Sequence, residues 1–310
     1  MLVSVCTPTF NRRPFIPYMF QCFKHQNYKG PIEWIIVDDG TDKIEDLILS
    51  SGIPNIKYYK IDQKISLGKK RNLMHSYAKG DIIIYMDDDD YYPPERISHA
   101  VETLQENPTI LCAGSTILYT YFKDIDKIVQ FGPYGPNHAT AGTFAFKRAL
   151  LKQTQYEDHA VIGEEKHFLK NYTIPLIQLD PKKVILVISH TQNTFDKRTL
   201  LTNHNNPTVT YTPLFVRDFI RNTELYQFYI HDIHVNLSSY TPGDPSMKPD
   251  VLAHIHQKNQ ERNFSIKFGD KILQGNDIVK QLNHQQNYIK LLTEKIKKLE
   301  ELNSLNRSHD

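Results

Sequence analysis

The feature that most constrains the fold is an alternation of short apolar runs and helical stretches in the first 90 residues. The apolar runs are rich in β-branched residues and lie between turn residues: 2-LVSVC-6, 33-EWIIVDD-39, 55-NIKYYKI-61 and 81-DIIIYMD-87. Helical patterns separate them at 14–26, 43–51 and 67–79. Runs that are apolar throughout are typical of strands that are buried on both faces. The alternation therefore predicts an α/β fold with a parallel sheet covered by helices.

Two of these apolar runs end in consecutive acids. Asp38 and Asp39 end the second run, and Asp87 to Asp90 end the fourth. Ligands of such sheets bind beyond the carboxyl ends of the strands. Neighbouring carboxylates cannot all lose water without a counter-charge, so the four-residue run is either a solvated turn or a site for Mg²⁺ or Mn²⁺. An EF-hand is excluded, because the loop lacks glycine at its sixth position and glutamate at its twelfth.

Cations occur beside these acids in the predicted sheet. The segment 7-TPTFNR-12 follows the first strand, and 68-GKKRN-72 brings three cations between the third and fourth strands. A metal held by carboxylates neutralises the charge that develops on a leaving diphosphate. Metal-binding acids together with phosphate-binding cations are what a nucleotide-sugar site requires.

Four motifs in this order and spacing resemble glycosyltransferase family 2, of the GT-A fold: 7-TPTFNR-12, 35-IIVDDGT-41, 68-GKKRNLMHSYAKGD-81 and 85-YMDDDDYYPP-94. Looser matches follow at 142-GTFAFKR-148, 163-GEEKHF-168 and 189-SHTQNTF-195. The resemblance implies a Rossmann-like mixed sheet flanked by helices. It also implies transfer of a sugar from a nucleoside diphosphate, usually UDP, to an acceptor hydroxyl. The bias towards Ile, Asn and Lys fits a further resemblance to glycosyltransferases of giant DNA viruses, including ones that act on collagen-like proteins.

The resemblance implies a donor-binding role for residues of the first three motifs. Pro8, Thr9, Phe10 and Arg12 would line the nucleotide pocket, and Asp39 would accept a hydrogen bond from uracil. Arg71 would approach the base or the diphosphate, supported by Lys69 or Lys70. The alternatives are turn and cap chemistry for the acids, and an exposed helix face for the lysines, which is the stronger alternative for Lys70.

The fourth motif would hold the metal. The resemblance assigns Asp87 to the ribose and the metal, and Asp89 to the metal. The run is degenerate, so Asp88 or Asp90 can exchange roles with them. His190 would complete the shell, and its imidazole favours Mn²⁺ over Mg²⁺; otherwise it is a histidine satisfied at a strand end.

The catalytic base is predicted at Glu164-Glu165. An inverting transfer needs a carboxylate that deprotonates the acceptor hydroxyl. The family has Glu-Asp here, so Glu165 takes the Asp position with a longer side chain. Two acids in the first turn of a helix are also favoured by the helix dipole alone. A retaining glucosyltransferase acting on the glycans of collagen-like proteins would not need this base.

Two other classes compete with a glycosyltransferase. A nucleotidyltransferase also has a Rossmann-like sheet with acidic metal ligands, but 7-TPTFNRR-13 lacks the glycine-rich loop of that class. A non-catalytic sugar- or nucleotide-binding module is the other. For the acceptor, a glycan or glycoprotein, the candidate stacking residues are Tyr91, Tyr92, Tyr134, His138 and Phe144.

The sequence predicts four segments. These are a donor-binding half of the GT-A domain (1–110), an acceptor-binding half (111–205), a helical extension (206–275) and an amphipathic or coiled-coil tail (276–310). Helices are expected at 160–171 and 214–237. In the tail, Ile278, Leu282, Ile289, Leu292, Ile296 and Leu299 follow a heptad pattern. That pattern over 277–303 favours a coiled coil that joins subunits; an amphipathic helix packed on its own domain is the alternative.

Composition excludes several classes of protein. The net charge of +2 offers no electrostatic basis for binding nucleic acid. Cys6, Cys22 and Cys112 form no CxxC pair, so we expect buried, reduced thiols. No apolar run approaches the length of a membrane span, and no signal peptide pattern is present. We therefore expect a cytoplasmic protein.

Overall fold

Two sheets form the framework of the first of two units, Met1–Pro249 and Asp250–Asp310. The computed structural model describes residues 1–201, 206–263, 265–268 and 271–307. The strands of the first unit are β1 (Val3–Thr9), β2 (Ile32–Asp38), β3 (Ile56–Lys60), β4 (Ile82–Tyr85), β5 (Cys112–Gly114), β6 (Leu118–Phe122), β7 (Lys127–Phe131), β8 (Ala145–Lys147), β9 (Leu176–Gln178), β10 (Leu186–Ser189) and β11 (Val209–Tyr211). The four predicted segment boundaries remain predictions.

Helices flank these sheets and continue into the second unit. They are α1 (Ile16–Lys24), α2 (Glu45–Ser50), α3 (Leu67–Tyr77), α4 (Arg96–Glu106), α5 (Glu165–Phe168), α6 (Thr223–Gln227), α7 (Ile233–Ser238), α8 (Pro249–Asn263) and α9 (Gly275–Arg307). A π-helical turn, Phe228–Asp232, joins α6 to α7, and short 3-10 turns occur at Arg13–Phe15, Ala141–Thr143, Thr241–Gly243 and Pro245–Met247 among others.

The larger sheet is mixed and has the strand order β3-β2-β1-β4-β8-β5-β9. Its first four strands are parallel, with Thr9 beside Asp38 and Cys6 beside Tyr85. β8 runs antiparallel to both β4 and β5. The predicted mixed sheet with flanking helices is confirmed. The register places the residues that follow β1, β2 and β4 on one rim of the sheet.

Both faces of the parallel strands are buried, which explains their uninterrupted apolar sequences. Val5 of β1 packs in one core cluster together with Trp34 and Ile84. Its neighbour Cys6 points to the opposite side and packs in a second cluster. All three cysteines are free and buried, as predicted. Successive side chains of a strand therefore pack into two different cores, one between the sheet and each layer of helices.

The smaller sheet has the order β10-β6-β7-β11 and supports the loop that follows β4. Tyr91, directly after the four aspartates, forms an isolated antiparallel bridge with Leu186 of β10. The backbone N–H of each donates to the carbonyl of the other, at 3.1 and 2.9 Å. The acidic segment is therefore fixed between the two sheets.

Two predicted helices are shorter than expected. The helix expected at 160–171 is reduced to α5, because Gly163 and then Lys170, Asn171 and Tyr172 adopt left-handed backbone conformations with φ between 49° and 68°. Such residues cannot continue a right-handed helix. The helix expected at 214–237 is divided into α6, the π-helical turn and α7.

The second unit contains most of α8, a hairpin of β12 (Ser265–Phe268) and β13 (Lys271–Gln274), and α9. The heptad residues from Leu282 to Leu299 lie in α9 and are exposed. Among the described residues, no helix is both long enough and apolar enough to span a bilayer.

Candidate active site

A pocket opens at the carboxyl ends of β1 and β4. Most of the residues that line it come from the loops after these strands and from α3, and two come from later in the chain. They are Pro8, Thr9, Phe10, Arg12, Leu67, Lys70, Arg71, Asp87, Asp88, Asp89, Thr194 and Lys248. Residues predicted to bind the donor are therefore brought together with the first three acids of the predicted metal site.

The turn after β1 positions Arg12 in this pocket. Asn11 takes a left-handed conformation with φ of 52°, which Asn tolerates better than most residues. Its Oδ1 accepts from the backbone N–H of Asp42 at 2.9 Å. Gly40 packs so closely on this turn that a Cβ at residue 40 would lie 2.6 Å from the backbone nitrogen of Asn11. A larger residue would therefore displace the turn. Arg12 itself is buried.

The four aspartates after β4 alternate in exposure. The side chains of Asp87 and Asp89 are 25% and 18% exposed, whereas those of Asp88 and Asp90 are buried. Asp90 points towards the smaller sheet, where its Oδ1 accepts from the backbone N–H of Ile188 at 2.9 Å. Asp90 therefore anchors the loop, and it does not line the pocket.

Buried groups beneath the loop hold Asp87 in place. The hydroxyl of Tyr92 accepts from the backbone N–H of Asp87 at 2.7 Å and donates to the Gly142 carbonyl at 3.3 Å. Arg96 is fully buried and donates to the carbonyls of Tyr85 and Phe144, at 3.0 and 2.7 Å. Burial lowers the pKa of Arg96 to about 10, so it remains a cation close to the acids at neutral pH.

Charge is unevenly distributed over Asp88 and Asp89. Burial and the neighbouring Asp89 carboxylate raise the pKa of Asp88 to about 7. Burial also opposes ionisation of Asp89, but a hydrogen bond with His190 and the charge of Arg12 lower its pKa below the usual range. The guanidinium of Arg12 lies 3.8 Å from Asp88 and 3.5 Å from Asp89. Asp89 is thus the more readily ionised acid of this pair.

His190 lies directly beside Asp89. The backbone N–H of Gln192 donates to Nδ1 at 3.2 Å, and the side-chain amide nitrogen of Asn193 lies 2.8 Å from Nε2. Nε2 is 3.3 Å from Asp89 Oδ2. Burial lowers the pKa of His190 to about 4 although Asp89 opposes this shift, so the imidazole is neutral at pH 7. A neutral imidazole beside a carboxylate can serve as a metal ligand.

Arg71 connects the acidic run to the predicted base. Its Nε donates to Glu164 Oε1 at 2.8 Å, and Nη2 lies 3.8 Å from Asp87 Oδ1. The guanidinium is also 4.5 Å from the ring centre of Tyr85. Glu164 is buried in this ion pair, whereas Glu165 is half-buried as the first residue of α5. The two glutamates thus differ in burial.

The acids after β2 are bound by their own chain. Asp38 accepts from the backbone N–H of Gly40 at 2.9 Å and from the Tyr58 hydroxyl at 2.5 Å. Asp39 accepts from the backbone N–H of Ile65 at 2.8 Å and from Lys70, which also donates to the Thr9 carbonyl at 3.1 Å. The uracil contact of Asp39 remains a prediction.

Residues 4–162, about half of the chain, match the family model described as glycosyl transferase family 2. The chain belongs to glycosyl transferase family 2. The resemblance identified from its motifs is confirmed.

Curated relatives match this family 2 protein over limited regions. An uncharacterized glycosyltransferase of Haemophilus influenzae is 26% identical over 109 residues, which cover 35% of this chain and 36% of the relative. Poly(ribitol-phosphate) beta-N-acetylglucosaminyltransferase TarS of Staphylococcus aureus is 27% identical over 111 residues, which cover 34% of this chain and 19% of the relative. The matches thus span little more than a third, or less, of these relatives.

Two solved structures also resemble this family 2 protein. One is mannosyltransferase PcManGT from Pyrobaculum calidifontis in complex with GDP-Man and Mn²⁺, with a TM-score of 0.49 at 15% identity. The match covers 83% of this chain and 75% of the mannosyltransferase chain. S. aureus TarS 1-349 in complex with UDP-GlcNAc has a TM-score of 0.45 at 19% identity and covers 61% of this chain and 59% of its own.

Motif reasoning on this family 2 protein favoured Lys69 over Lys70 and did not single out Thr194 or Lys248. Lys69 is exposed, whereas Lys70 is buried in the pocket. A signal for Lys70 was present, because it lies on the helical face of Leu67 and Met74, at a spacing of three and four residues. Thr194 lies inside the looser match 189-SHTQNTF-195 but was not singled out. Lys248 had no comparable signal, since it lies beyond the last recognised motif.

The acceptor-stacking predictions are wrong for three aromatic residues. Tyr91, Tyr92 and Phe144 are buried and offer no ring face to a sugar. Tyr92 and Phe144 support Asp87 and Arg96 instead. Tyr134 is 47% exposed, and its ring centre lies 4.7 Å from that of His138, so these two remain candidates.

Proposed function

We propose that this protein transfers a sugar from a UDP-sugar to a hydroxyl of a glycan or glycoprotein, with a metal ion and with inversion at the anomeric carbon. The proposal is supported above all by the pocket at the carboxyl ends of β1 and β4. Acids and cations line it together, and some of their buried polar atoms have no hydrogen-bond partner. Among the described residues, Arg71 Nη1, Asp87 Oδ1 and Asp88 Oδ2 are buried and have no hydrogen-bond partner. A buried polar atom without a hydrogen-bond partner is costly, and a bound ion or ligand is one way in which it is satisfied.

The donor set fits Mn²⁺ or Mg²⁺ if the substrate supplies further ligands. Within the described part of the chain, no three His, Cys, Asp or Glu side chains are arranged to hold a metal ion by themselves. Asp89 and His190 would hold the ion, with Asp87 facing it and the ribose. Mg²⁺ is usually bound by one or two carboxylates together with substrate phosphates, and an imidazole ligand favours Mn²⁺. The ion would supply positive charge that stabilises the leaving diphosphate.

The residues of the chain account for the remaining chemistry. The bond between the anomeric carbon and the β-phosphate oxygen breaks, and its electron pair stays on UDP. The acceptor oxygen bonds to the anomeric carbon from the opposite face, and its proton passes to a carboxylate. We assign that role to Glu165, because it takes the position of the aspartate in the family's Glu-Asp pair; Glu164 is paired with Arg71. Arg71 would then position Glu164 and Asp87 around the donor.

A donor screen tests the proposed reaction. Release of UDP from UDP-glucose, UDP-galactose and UDP-N-acetylglucosamine would be measured with and without Mn²⁺, with glycan and glycoprotein acceptors. The last donor is included because the Staphylococcus relative is an N-acetylglucosaminyltransferase. Metal-dependent release with an acceptor is expected, and its absence with every donor would refute the proposal. Release of pyrophosphate from a nucleoside triphosphate and a sugar phosphate would indicate a nucleotidyltransferase instead.

Replacing the proposed base tests the mechanism. Glu165→Gln should lower kcat by about 10²- to 10⁴-fold, the usual contribution of a general base, while the affinity for the donor stays unchanged. Glu164→Gln is the matched comparison and should weaken donor binding, because Arg71 loses its ion-pair partner. Near-normal turnover of Glu165→Gln, or a product with retained anomeric configuration by NMR, would favour the retaining alternative.

We also propose that α9 pairs with α9 of a second copy of this chain. Its apolar residues Leu282, Ile289, Leu292, Ile296 and Leu299 are 43% to 62% exposed, and apart from one gap at Gln285 they follow the 3-and-4 spacing of a coiled-coil seam. Deletion of residues 277–310 should reduce the molar mass measured by light scattering to that of the monomer, with turnover per site unchanged. An unchanged mass would reject this pairing.

A further inference from the structure

Residues 240–248, here called the strap, cross the turn after β1 at the edge of the pocket. Asn11 Nδ2 donates to the carbonyl of Pro242 at 2.7 Å, and Arg12 Nη1 lies 3.4 Å from the carbonyl of Gly243. The strap lies outside residues 4–162, which match the family model. A segment outside the recognised motifs therefore contacts the turn that carries Arg12.

Gln192 fastens the other side of the strap. Its Nε2 donates to the carbonyls of Leu237 and Tyr240, at 3.2 and 2.6 Å. A Cβ at Gly243 would overlap the Gln192 side chain and lie 3.0 Å from the Asn11 carbonyl. Close packing on both sides gives the strap a defined path along the pocket wall.

The strap brings Lys248 into the pocket. Lys248 is 9% exposed, and its Nζ donates to Thr194 Oγ1 at 2.8 Å. The ammonium lies 5.6 Å from the ring centre of Phe10, close enough for a cation–π contact. Lys248 therefore shares the pocket with Asp88 and Asp89.

Lys248 differs from the other buried lysine of the pocket in its partners. Lys70 is paired with Asp39. For Lys248, no carboxylate among the described residues lies within ion-pair distance, and its hydrogen bond goes to a neutral hydroxyl. Burial and the charge of Arg12 lower the pKa of Lys248 to about 7. Burying a cation without a paired anion is unfavourable, so the arrangement favours an anionic ligand.

We infer that Lys248 binds the diphosphate of the sugar donor, so that the strap completes the donor site. The inference rests on the proposed function and adds a residue to it. As the bond from the anomeric carbon to the β-phosphate oxygen breaks, the electron pair moves onto the diphosphate, and the protonated Lys248 stabilises that charge. The acceptor oxygen forms the new bond to the anomeric carbon, and its proton goes to Glu165. Lys248 keeps its own proton throughout.

Calorimetric titration of the full chain with uridine, UDP and GDP in the presence of Mn²⁺ tests the inference. Lys248→Met should bind the preferred diphosphate about 10- to 100-fold more weakly, the range for losing one hydrogen bond to a charged group. Its affinity for the nucleoside uridine should not change. Lys248→Arg should recover part of the diphosphate affinity. Lys79→Met, an exposed lysine on the turn before β4, is the matched control and should bind as wild type does.

The outcomes separate this inference from the proposed function. If wild type binds UDP or GDP and Lys248→Met binds it equally well, the inference is overturned and the proposed function stands. Equal losses for uridine and the diphosphate would show a structural role only and also overturn it. If wild type binds neither diphosphate, both are overturned. Should Lys248→Met fail to fold in a thermal unfolding control, Lys248→Gln, which can still donate to Thr194, provides the same comparison.

Discussion

The two groups of acids on the rim of the larger sheet have the same position in their strands but different surroundings. Asp38 ends β2 and Asp39 follows it, and their oxygens accept hydrogen bonds from nearby backbone N–H groups, Tyr58 and Lys70. Asp87 and Asp88 follow β4, and each retains a buried oxygen without a hydrogen-bond partner in the described part of the chain. The first group stabilises the rim, and the second is available to a ligand.

An acid at the end of a strand is therefore not by itself a binding site. Backbone N–H groups and a buried lysine form hydrogen bonds and an ion pair with the acids at the end of β2. The loop after β4 is held by other atoms, namely the Asp90 carboxylate, the Tyr92 hydroxyl and the Arg96 guanidinium. Because these groups carry the structural role, Asp87 and Asp89 are left partly exposed.

The largest expected effect is at Asp89. Asp89→Ala should weaken metal-dependent binding of UDP-sugar by about 100-fold or more, the upper range reported for disturbing the surroundings of a bound metal. Calorimetry with UDP and Mn²⁺ measures this. An affinity equal to that of wild type would remove the distinction between the two acid groups, since Asp89 would then not be a metal ligand.

An effect on stability that depends on pH is expected at Asp88. Its folded-state pKa is raised to about 7, so the folded chain binds this proton more tightly than the unfolded chain does. Stability of wild type should therefore fall as pH rises from about 4 to about 7, by at most about 4 kcal/mol. Asp88→Asn removes this loss, and thermal unfolding with a chelator present should show a more stable variant at pH 8 but not at pH 4. A less stable variant at pH 8 would contradict the proposed burial cost.

The same change from Asp to Asn at the end of β2 should destabilise the protein at pH 8, whereas at Asp88 it should stabilise it. Asp38→Asn removes a carboxylate that accepts from Gly40, Ile44 and Tyr58. The free energy of unfolding should fall by about 1–3 kcal/mol, the cost of disturbing buried hydrogen bonds. Denaturant unfolding measures it. Metal-dependent UDP affinity should stay at the wild-type level, and a selective loss of that affinity would place Asp38 in the ligand site.

Much of the donor half of the molecule was predictable from the sequence. The β-branched runs, their helical connections and the acids that end β2 and β4 are local patterns, and local patterns predict strands, helices and the rim on which a site forms. The helix at 160–171 was predicted wrongly, because left-handed residues at 163 and 170–172 interrupt an apolar pattern that looks helical. The roles of Asp89, His190 and Glu165 remain predictions that the geometry makes testable.

The parallel strands, the acidic rim and the family are all readable from local sequence, because each depends on residues close together in the chain. Which of the charged groups already have partners depends on tertiary contacts. The fold pairs Lys70 with Asp39 and Arg71 with Glu164, leaves one oxygen each of Asp87 and Asp88 without a hydrogen-bond partner among the described residues, and brings Lys248 to the same pocket. The physical reason is that the availability of a buried charged group depends on its partners in space, and those partners come from segments far apart in the chain.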